Sequence, residues 1–396
     1  MRIRFGDDAA RRAFDESPLV ARIDGFWGEL TSLEPSLAAL RSTQMASDHL
    51  EARLTKAVQA VDRSLVVELD GPPDATRLAL LPGDDPGLEP LIERILRRAP
   101  AIARLTPVRY RIALEPPAAL DEIRARVGVD LALARARIGF SRGHLLDVVV
   151  YAPGFGSASD ERALDAANLL LPRLLGDDVF DTWIGSVDVA PMPRPSVLRV
   201  LDDKSARVET LSLDDVAPAV GAAIRGVHDA LPDEPWHALA RGEKWTLLES
   251  EPPIAQDYSR QDDIAIVSTV IPEAMKCFLE GDRFASRRFS KRGERFAYVK
   301  VDARDESTER RHALQLELED ALNAALVPSA LGAVVGVGMG ARYVYVDVAL
   351  ADVDACVTVA CDALRRIGVN RRSWILFLDS EWDREWIGVW DDATPP

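Results

Sequence analysis

The sequence predicts an α+β fold, on three observations. Apolar stripes at helical spacing and short alternating runs follow one another along 396 residues without a fixed repeat. Prolines at 191–195 and 252–253 punctuate the chain. From Phe296 onward the elements run β-α-β-β-α-β plus one further strand, the order of the ferredoxin-like plait. Two two-layer α/β sandwich domains are therefore expected, the C-terminal one ferredoxin-like, with a helical segment before them. The expected boundaries are 1–62 for the helical segment, 63–195 for the first α/β domain, 196–253 for a connector with one helix, and 254–396 for the ferredoxin-like domain.

The elements follow in order. Ile23, Phe26, Trp27 and Leu30 make one helical stripe, and Leu50, Leu54, Val58 and Val61 another, capped by Asp48. Ser64–Leu69 and Arg77–Leu81 read as strands around a Gly-Pro-Pro turn, and Leu88, Leu91, Ile92 and Ile95 as a helix. Val108–Leu114 and His144–Tyr151 are expected strands, Asp160–Leu175 a helix, and Trp183–Val189 a strand. The connector holds a helix from Asp214 to about Leu231, with Trp236 and Trp245 placed to tie it to a neighbour. In the last third, Asp263–Val270 reads as a strand and Pro272–Leu279 as a short helix. The plait then comprises Phe296–Ala303, the helix His312–Leu326, the hairpin Ala333–Val337 with Tyr343–Leu350, the Asp352-capped helix to Ile367, and Trp374–Asp379, with Trp386–Trp390 as the added strand.

Sixty-four acids against 48 bases leave a net charge of −16. That field repels nucleic acid and anionic membrane and suits a basic partner. Three cysteines are too few for a disulfide framework, the first residues lack the apolar run of a signal peptide, and no stretch is long enough for a membrane helix, so a cytoplasmic protein is expected.

Catalytic signatures are missing: no G-x-S-x-G, H-E-x-x-H or Walker A pattern occurs, and the five histidines are scattered. Cys356 and Cys361 share a helix five positions apart, and Cys277 is remote from both, so they read as small apolar residues. Gly336-Val-Gly338-Met-Gly340 leads into a strand, where no helix N-terminus could hold a pyrophosphate, and reads as hairpin glycine. Gly154, Gly156 and Ser157 do sit between a strand and a helix and are candidate anion ligands. Arg283, Arg287, Arg288, Lys291, Arg292 and Arg295 form a basic run containing one acid, Glu294, and Arg287, Arg288 and Arg292 join the candidate anion set. Asp379, Glu381, Asp383, Glu385, Asp391 and Asp392 form the acidic counterpart, opposed only by Arg384. Pairing between these two segments is the economical expectation.

Alternation places Ala297, Val299, Val301 and Ala303 on one face of the plait, with Val344, Val346 and Val348, under the two helices. The other face carries Phe296, Tyr298, Lys300, Asp302, Tyr343, Tyr345 and Asp347. With Asp379, Glu381, Trp386 and Trp390 it supplies the candidate partner-binding residues, because tyrosine and tryptophan are preferred interface anchors. The competing readings of this face are an RNA-stacking platform and a surface packed against the rest of the chain.

Several stretches carry a family likeness: Tyr258-Ser-Arg-Gln-Asp-Asp-Ile-Ala-Ile, the run Gly340–Asp347, Arg372–Trp382, and the N-terminal Ile23-Asp-Gly-Phe-Trp27. The chain resembles a group of uncharacterised bacterial proteins that end in a plait of unknown function. The resemblance spans most of the chain and brings no catalytic residues with it. A more distant topological likeness, to the plait-bearing regulator of ribonuclease E activity, implies an acidic inhibitor of an RNA enzyme.

The leading expectation is a non-enzymatic interaction protein, of inhibitor or immunity type, that binds a basic protein partner without cofactor or metal. One alternative is an enzyme or ligand-binding protein with a site between the halves, near Gly154–Ser157 or Asp347, Asp379 and Glu381. Another is an RNA-binding plait using Arg283–Arg295.

Overall fold

A computed structural model describes residues 9–34, 44–71, 75–83, 85–156, 161–192, 210–239 and 244–396. The protein is mixed α+β with three open sheets and no barrel among the described residues. No helix among them is long and apolar enough to cross a membrane.

The chain forms two compact units, one of Met1–Arg109 with Pro232–Pro396 and one of Tyr110–Leu231. This corrects the expected boundaries at 62, 195 and 253. The reason is a shared core. Helices α1 (Ala9–Leu33) and α2 (Gln44–Val58) bury Ile23, Phe26, Trp27, Leu50 and Leu54 in the same apolar cluster as Val299, Val346 and Leu364 of the C-terminal third. Strands β1 (Val66–Asp70) and β2 (Thr76–Leu81) pair antiparallel. Helix α3 (Glu89–Arg97) then crosses to β3 (Leu105–Val108), parallel to β2. The Trp27 indole donates to the Ile95 carbonyl at 2.9 Å, pinning α1 to α3. The strand expected over Val108–Leu114 ends at Val108. Beyond it, the Leu114 N–H donates to the Arg173 carbonyl and the Arg111 carbonyl accepts from the Asp177 N–H, so the apolar run is held by helix ends.

The second unit contains α4 (Pro116–Val127), β4 (Arg135–Phe140), β5 (Leu146–Ala152), α5 (Glu161–Leu175), α6 (Asp177–Trp183), β6 (Ile184–Pro191), β7 (Leu211–Ser212) and α7 (Leu213–Ala230). Its sheet order is β6-β5-β4-β7, and Ile123, Val148, Val150, Leu170, Leu174, Val216 and Val220 fill its core. Helix α4 is not among the expected elements, although prolines open it and Gly128 closes it at φ +65°.

Returning to the first unit, α8 (Trp236–Leu239), β8 (Thr246–Glu249), β9 (Ile264–Thr269) and α9 (Pro272–Leu279) precede the C-terminal strands. These are β10 (Arg295–Asp302), β11 (Gly332–Gly340), β12 (Tyr343–Leu350) and β13 (Ser373–Phe377), with α10 (Thr308–Leu326) and α11 (Val353–Arg366) between them and β14 (Trp386–Gly388) after. Ser307 and Asp352 cap the two helices through their side chains, accepting from Arg310 and Ala355 backbone N–H groups. The seven strands run β14-β13-β10-β12-β11-β9-β8, all antiparallel. Ala297, Val299, Val344 and Val346 share the apolar cluster with Leu318, Leu322, Val357 and Leu364 of the two helices, as alternation predicts.

Candidate functional site

Register sets the aromatic face in rows. Leu376, Tyr298, Asp347, Gly336 and Thr269 lie across neighbouring strands, and Trp374, Lys300, Tyr345, Gly338 and Val267 form the adjacent row. Phe296, Tyr298, Lys300, Tyr343, Tyr345 and Asp347 are all fully buried. The face is therefore covered, which corrects its expected role as an open partner-binding platform. The cover comes from residues 232–294: Trp236, Tyr258, Ile271, Met275, Phe284 and Phe289 share one core with the tyrosines and Trp374. Burying so much aromatic surface is strongly favourable, and no platform is left for stacking bases or anchoring a partner.

The irregular stretch between Pro253 and Asp263 crosses the charged part of this face as a strap. Lys300 donates to the carbonyls of Tyr258 and Ser259, and its ammonium stands 4.1 Å from the Tyr343 ring centroid. Tyr343 donates to Asp257 at 2.5 Å, while Arg342 and Arg372 reach the same carboxylate at 3.0 and 3.2 Å. Asp302 accepts from both arginines, at 2.9 and 2.8 Å. Asp263 accepts the backbone N–H groups of Arg342 and Tyr343, and the Tyr345 hydroxyl. Gln261 donates to Asp347 Oδ1 at 2.8 Å, leaving Asp347 Oδ2 and Gln261 Oε1 without a hydrogen-bond partner.

Burial governs the titration of these groups. It pulls the Lys300 ammonium down to about 8, against the opposing pull of Asp263, Asp257 and Asp262. It pushes the Asp347 carboxyl up to about 7, against the Gln261 hydrogen bond. It also raises Tyr343 to about 12. For Asp257 burial is outweighed by Tyr343, the Tyr258 N–H and the two arginines, which hold it below the usual carboxylate range. Lys300, Asp347 and the tyrosines have the makings of acid–base chemistry but are sealed from solvent. What the cluster does is fasten the strap.

The glycine run on β11 belongs to this arrangement. A Cβ on Gly336 would strike the Asp347 carboxylate, one on Gly340 the Asp263 carboxylate, and one on Gly338 the Ile264 side chain. These glycines leave one side of β11 bare so that buried carboxylates and β9 can approach, a role hairpin geometry alone does not describe. Gly336→Ala is expected to destabilise the protein by about 2 kcal/mol through overpacking. Gly139→Ala on β4, where a Cβ meets open space, serves as the near-neutral control in the same urea titration.

A second cluster gathers the acidic and basic segments. Asp379 accepts from the Ser286 N–H at 2.7 Å and hydroxyl at 2.6 Å, and pairs with Arg295 at 3.3 Å. Arg295 also reaches Glu93 at 3.3 Å and lies over the Trp382 ring at 4.1 Å. Arg109 is clasped by Glu89, Glu93 and Glu381. Burial would raise Glu381, but Arg109, with Arg287 and Arg295, holds it below the usual range. Pairing between the basic and acidic segments is thus present at Arg295 and Asp379. Asp391 and Asp392 pair instead with Arg365 and Arg371, and Arg384 with Asp85. Arg109→Ala is expected to cost about 2 kcal/mol at pH 7, because three carboxylates lose a shared, half-buried cation. The loss should shrink as pH falls below the usual carboxylate range and Glu381 takes up its proton; thermal melts across acid pH measure it.

The remaining candidate residues are scattered. Trp386 is buried, and Trp390 is half-buried with its indole on the Val369 carbonyl and Arg371 above it. Arg288 is fully buried, donating to the Arg283 carbonyl and the Cys277 sulfur, and Arg292 donates to the Asp233 carbonyl. Arg288 is thus sealed from any ligand by its burial, whereas Arg292 is exposed. Gly154, at φ +88°, and Gly156 sit in the turn after β5, in the other unit, and Ser157 lies outside the described residues. Asp347 is held by Gln261, whereas Asp379 and Glu381 are held by Ser286, Arg295 and Arg109, so these carboxylates do not form one site. Among the described residues, no three His, Cys, Asp or Glu side chains converge as metal ligands. Sequence reasoning missed Gln261 and Asp263 as partners of the face, and Glu89, Glu93 and Arg109 as partners of the acidic segment. The glycine run opposite Asp347 was the one local sign of a crowded, buried polar seam. No family model, curated protein or solved structure matches the chain.

Proposed function

We propose that this protein is a non-enzymatic interaction module that engages a basic protein partner, in the manner of an acidic inhibitor or immunity-type protein. One observation carries the reading: half of the basic run is taken up within the chain, while Arg283, Arg287 and Arg292 stay exposed. Arg288 is buried, Arg295 is taken up by Asp379, Glu93 and Trp382, and Lys291 and Arg292 are held on Asp233. With Arg288, Lys291 and Arg295 engaged within the chain, the net charge of −16 dominates the long-range field and favours a basic partner over nucleic acid. The ferredoxin-like reading of residues 254–396 goes with this proposal. The order β13-β10-β12-β11, which is 4-1-3-2 in plait numbering, and the placing of α10 and α11 on one face support it.

The test is retention of the full chain on immobilised polylysine and on immobilised polyuridylate RNA at 50 and 300 mM salt. Retention on polylysine that falls steeply with salt, with none on RNA, is expected. Retention on RNA, or on neither matrix at 50 mM, would overturn the reading.

A further inference from the structure

The seven-stranded sheet is wider than its two covering helices. Strand β8 is its last strand and, among the described residues, is paired only with β9. The backbone N–H of Ser250 donates to the Ala265 carbonyl at 3.0 Å. In an antiparallel ladder such inward-facing residues alternate with outward-facing ones. Leu248 and Thr246 therefore face β9, and Leu247 and Glu249 turn their N–H and C=O groups to the open edge. Their side chains share one sheet face with Ile266 and Ser268, because Leu247 opposes Ser268 and Glu249 opposes Ile266. Leu247 is 58% exposed and Ile266 36%, and both lie past the reach of α10 and α11. Farther along, Ile254 is fully exposed.

An open edge with apolar side chains beside it is a template for strand addition. Here the charges select the occupant. Glu249 and Glu251 are exposed along the edge, and among the described residues of this segment only Lys244, at its start, is cationic. A second copy would bring the same carboxylates and another −16 against them. We propose that β8 accepts an extended, cationic segment of a partner protein, one whose same-face residues, two apart, run from apolar to basic. The added strand bonds to the backbone of Leu247 and Glu249, places apolar side chains on Leu247 and Ile266, and sets its cations against Glu249 and Glu251. This inference rests on the reading of the chain as a binder of basic partners and assigns the site for it.

The probe is a fluorescent Lys-Val peptide, Val-Thr-Val-Thr-Lys-Thr-Lys, whose valines and lysines share one face, with two controls: the same peptide N-methylated at alternate residues, and a Glu-Val version with glutamate for lysine. Binding to the full chain is followed by anisotropy at 50 mM salt, and amide exchange locates it. Binding of the Lys-Val peptide, with slowed exchange at Leu247 and Glu249, is expected. Leu247→Pro removes an outward N–H that β9 does not use, so the fold is retained while binding falls at least tenfold. Glu249→Lys with Glu251→Lys weakens binding by a similar factor. Equal binding by the Leu247→Pro protein or the N-methylated peptide would overturn the strand-addition site while leaving the acidic-binder reading intact, provided polylysine retention persists. Binding of the Glu-Val peptide, or concentration-dependent self-association abolished by Leu247→Pro, would overturn the choice of occupant. Absence of Lys-Val binding together with loss of polylysine retention would remove both.

Discussion

Lys300→Met is expected to destabilise the protein by about 3–5 kcal/mol at pH 7, the range for removing one member of a buried charged network. The methionine keeps the length and packing of the side chain, so the loss is that of the ammonium's hydrogen bonds and contacts, offset in part by relief of its desolvation. The carbonyls of Tyr258 and Ser259 lose their donor, and the Tyr343 ring loses the cation above it. Asp263, fully buried, loses the nearest compensating charge. The strap should feel the change first. Limited proteolysis is expected to cut within residues 254–262 at a urea concentration where β10 and β12 remain folded. An unchanged urea midpoint would mean that desolvating the ammonium outweighs everything it binds, and that apolar packing alone fixes the strap.

Asp347→Asn is expected to change how stability depends on pH. The folded protein holds the Asp347 proton up to about pH 7, whereas an unfolded carboxyl releases it near its ordinary value of 3.8. Its contribution is therefore fully present below about pH 4 and is lost as pH rises through 7. The difference in proton affinity corresponds to about 4 kcal/mol. Asparagine is neutral throughout and can still accept the Gln261 amide hydrogen bond. The variant's stability relative to the parent should rise by about 4 kcal/mol between pH 4 and pH 8. Lys300 acts in a separate window: its folded value of about 8 lies below the ordinary 10.5, so its penalty is complete below pH 8 and is relieved between 8 and 10.5. Urea titrations of parent and variant at pH 4, 6 and 8 isolate the Asp347 contribution, because the other carboxylates are common to both proteins. Parallel stability curves would show that Asp347 is charged or solvated in the folded state.

Much of the C-terminal sheet was legible from alternation. The Ala297–Val301 and Val344–Val348 series set the helix-facing side, and the Asp352 cap agrees with its helix start, whereas the helix expected from His312 begins at Thr308 behind a Ser307 cap. The covered face was legible as aromatic but not as covered. Nothing local to Tyr298 or Tyr345 distinguishes a buried row from an exposed one. The difference lies in Trp236, Tyr258 and Phe284, which reach the face through tertiary packing. The same limit moved the domain boundary: prolines mark where the chain cannot be helix or strand, not where cores end. The core shared by α1, α2 and the C-terminal sheet joins residues as far apart in sequence as Ile23 and Val299. Strand β8 was missed because four residues that alternate between half-buried and exposed carry almost no pattern of their own.

Native-state amide hydrogen exchange of β10 and β12 in the full chain, followed as urea is raised toward the unfolding midpoint, tests the covered face most directly. If residues 232–294 are an integral layer over that face, the amides of Phe296–Val301 and Val344–Val348 exchange only through global unfolding, with the free energy and urea dependence of the whole unit. Exchange of those amides through a lower-energy, sub-global opening, with residues 254–262 already unprotected in the native state, would contradict it and restore the aromatic face as an accessible surface.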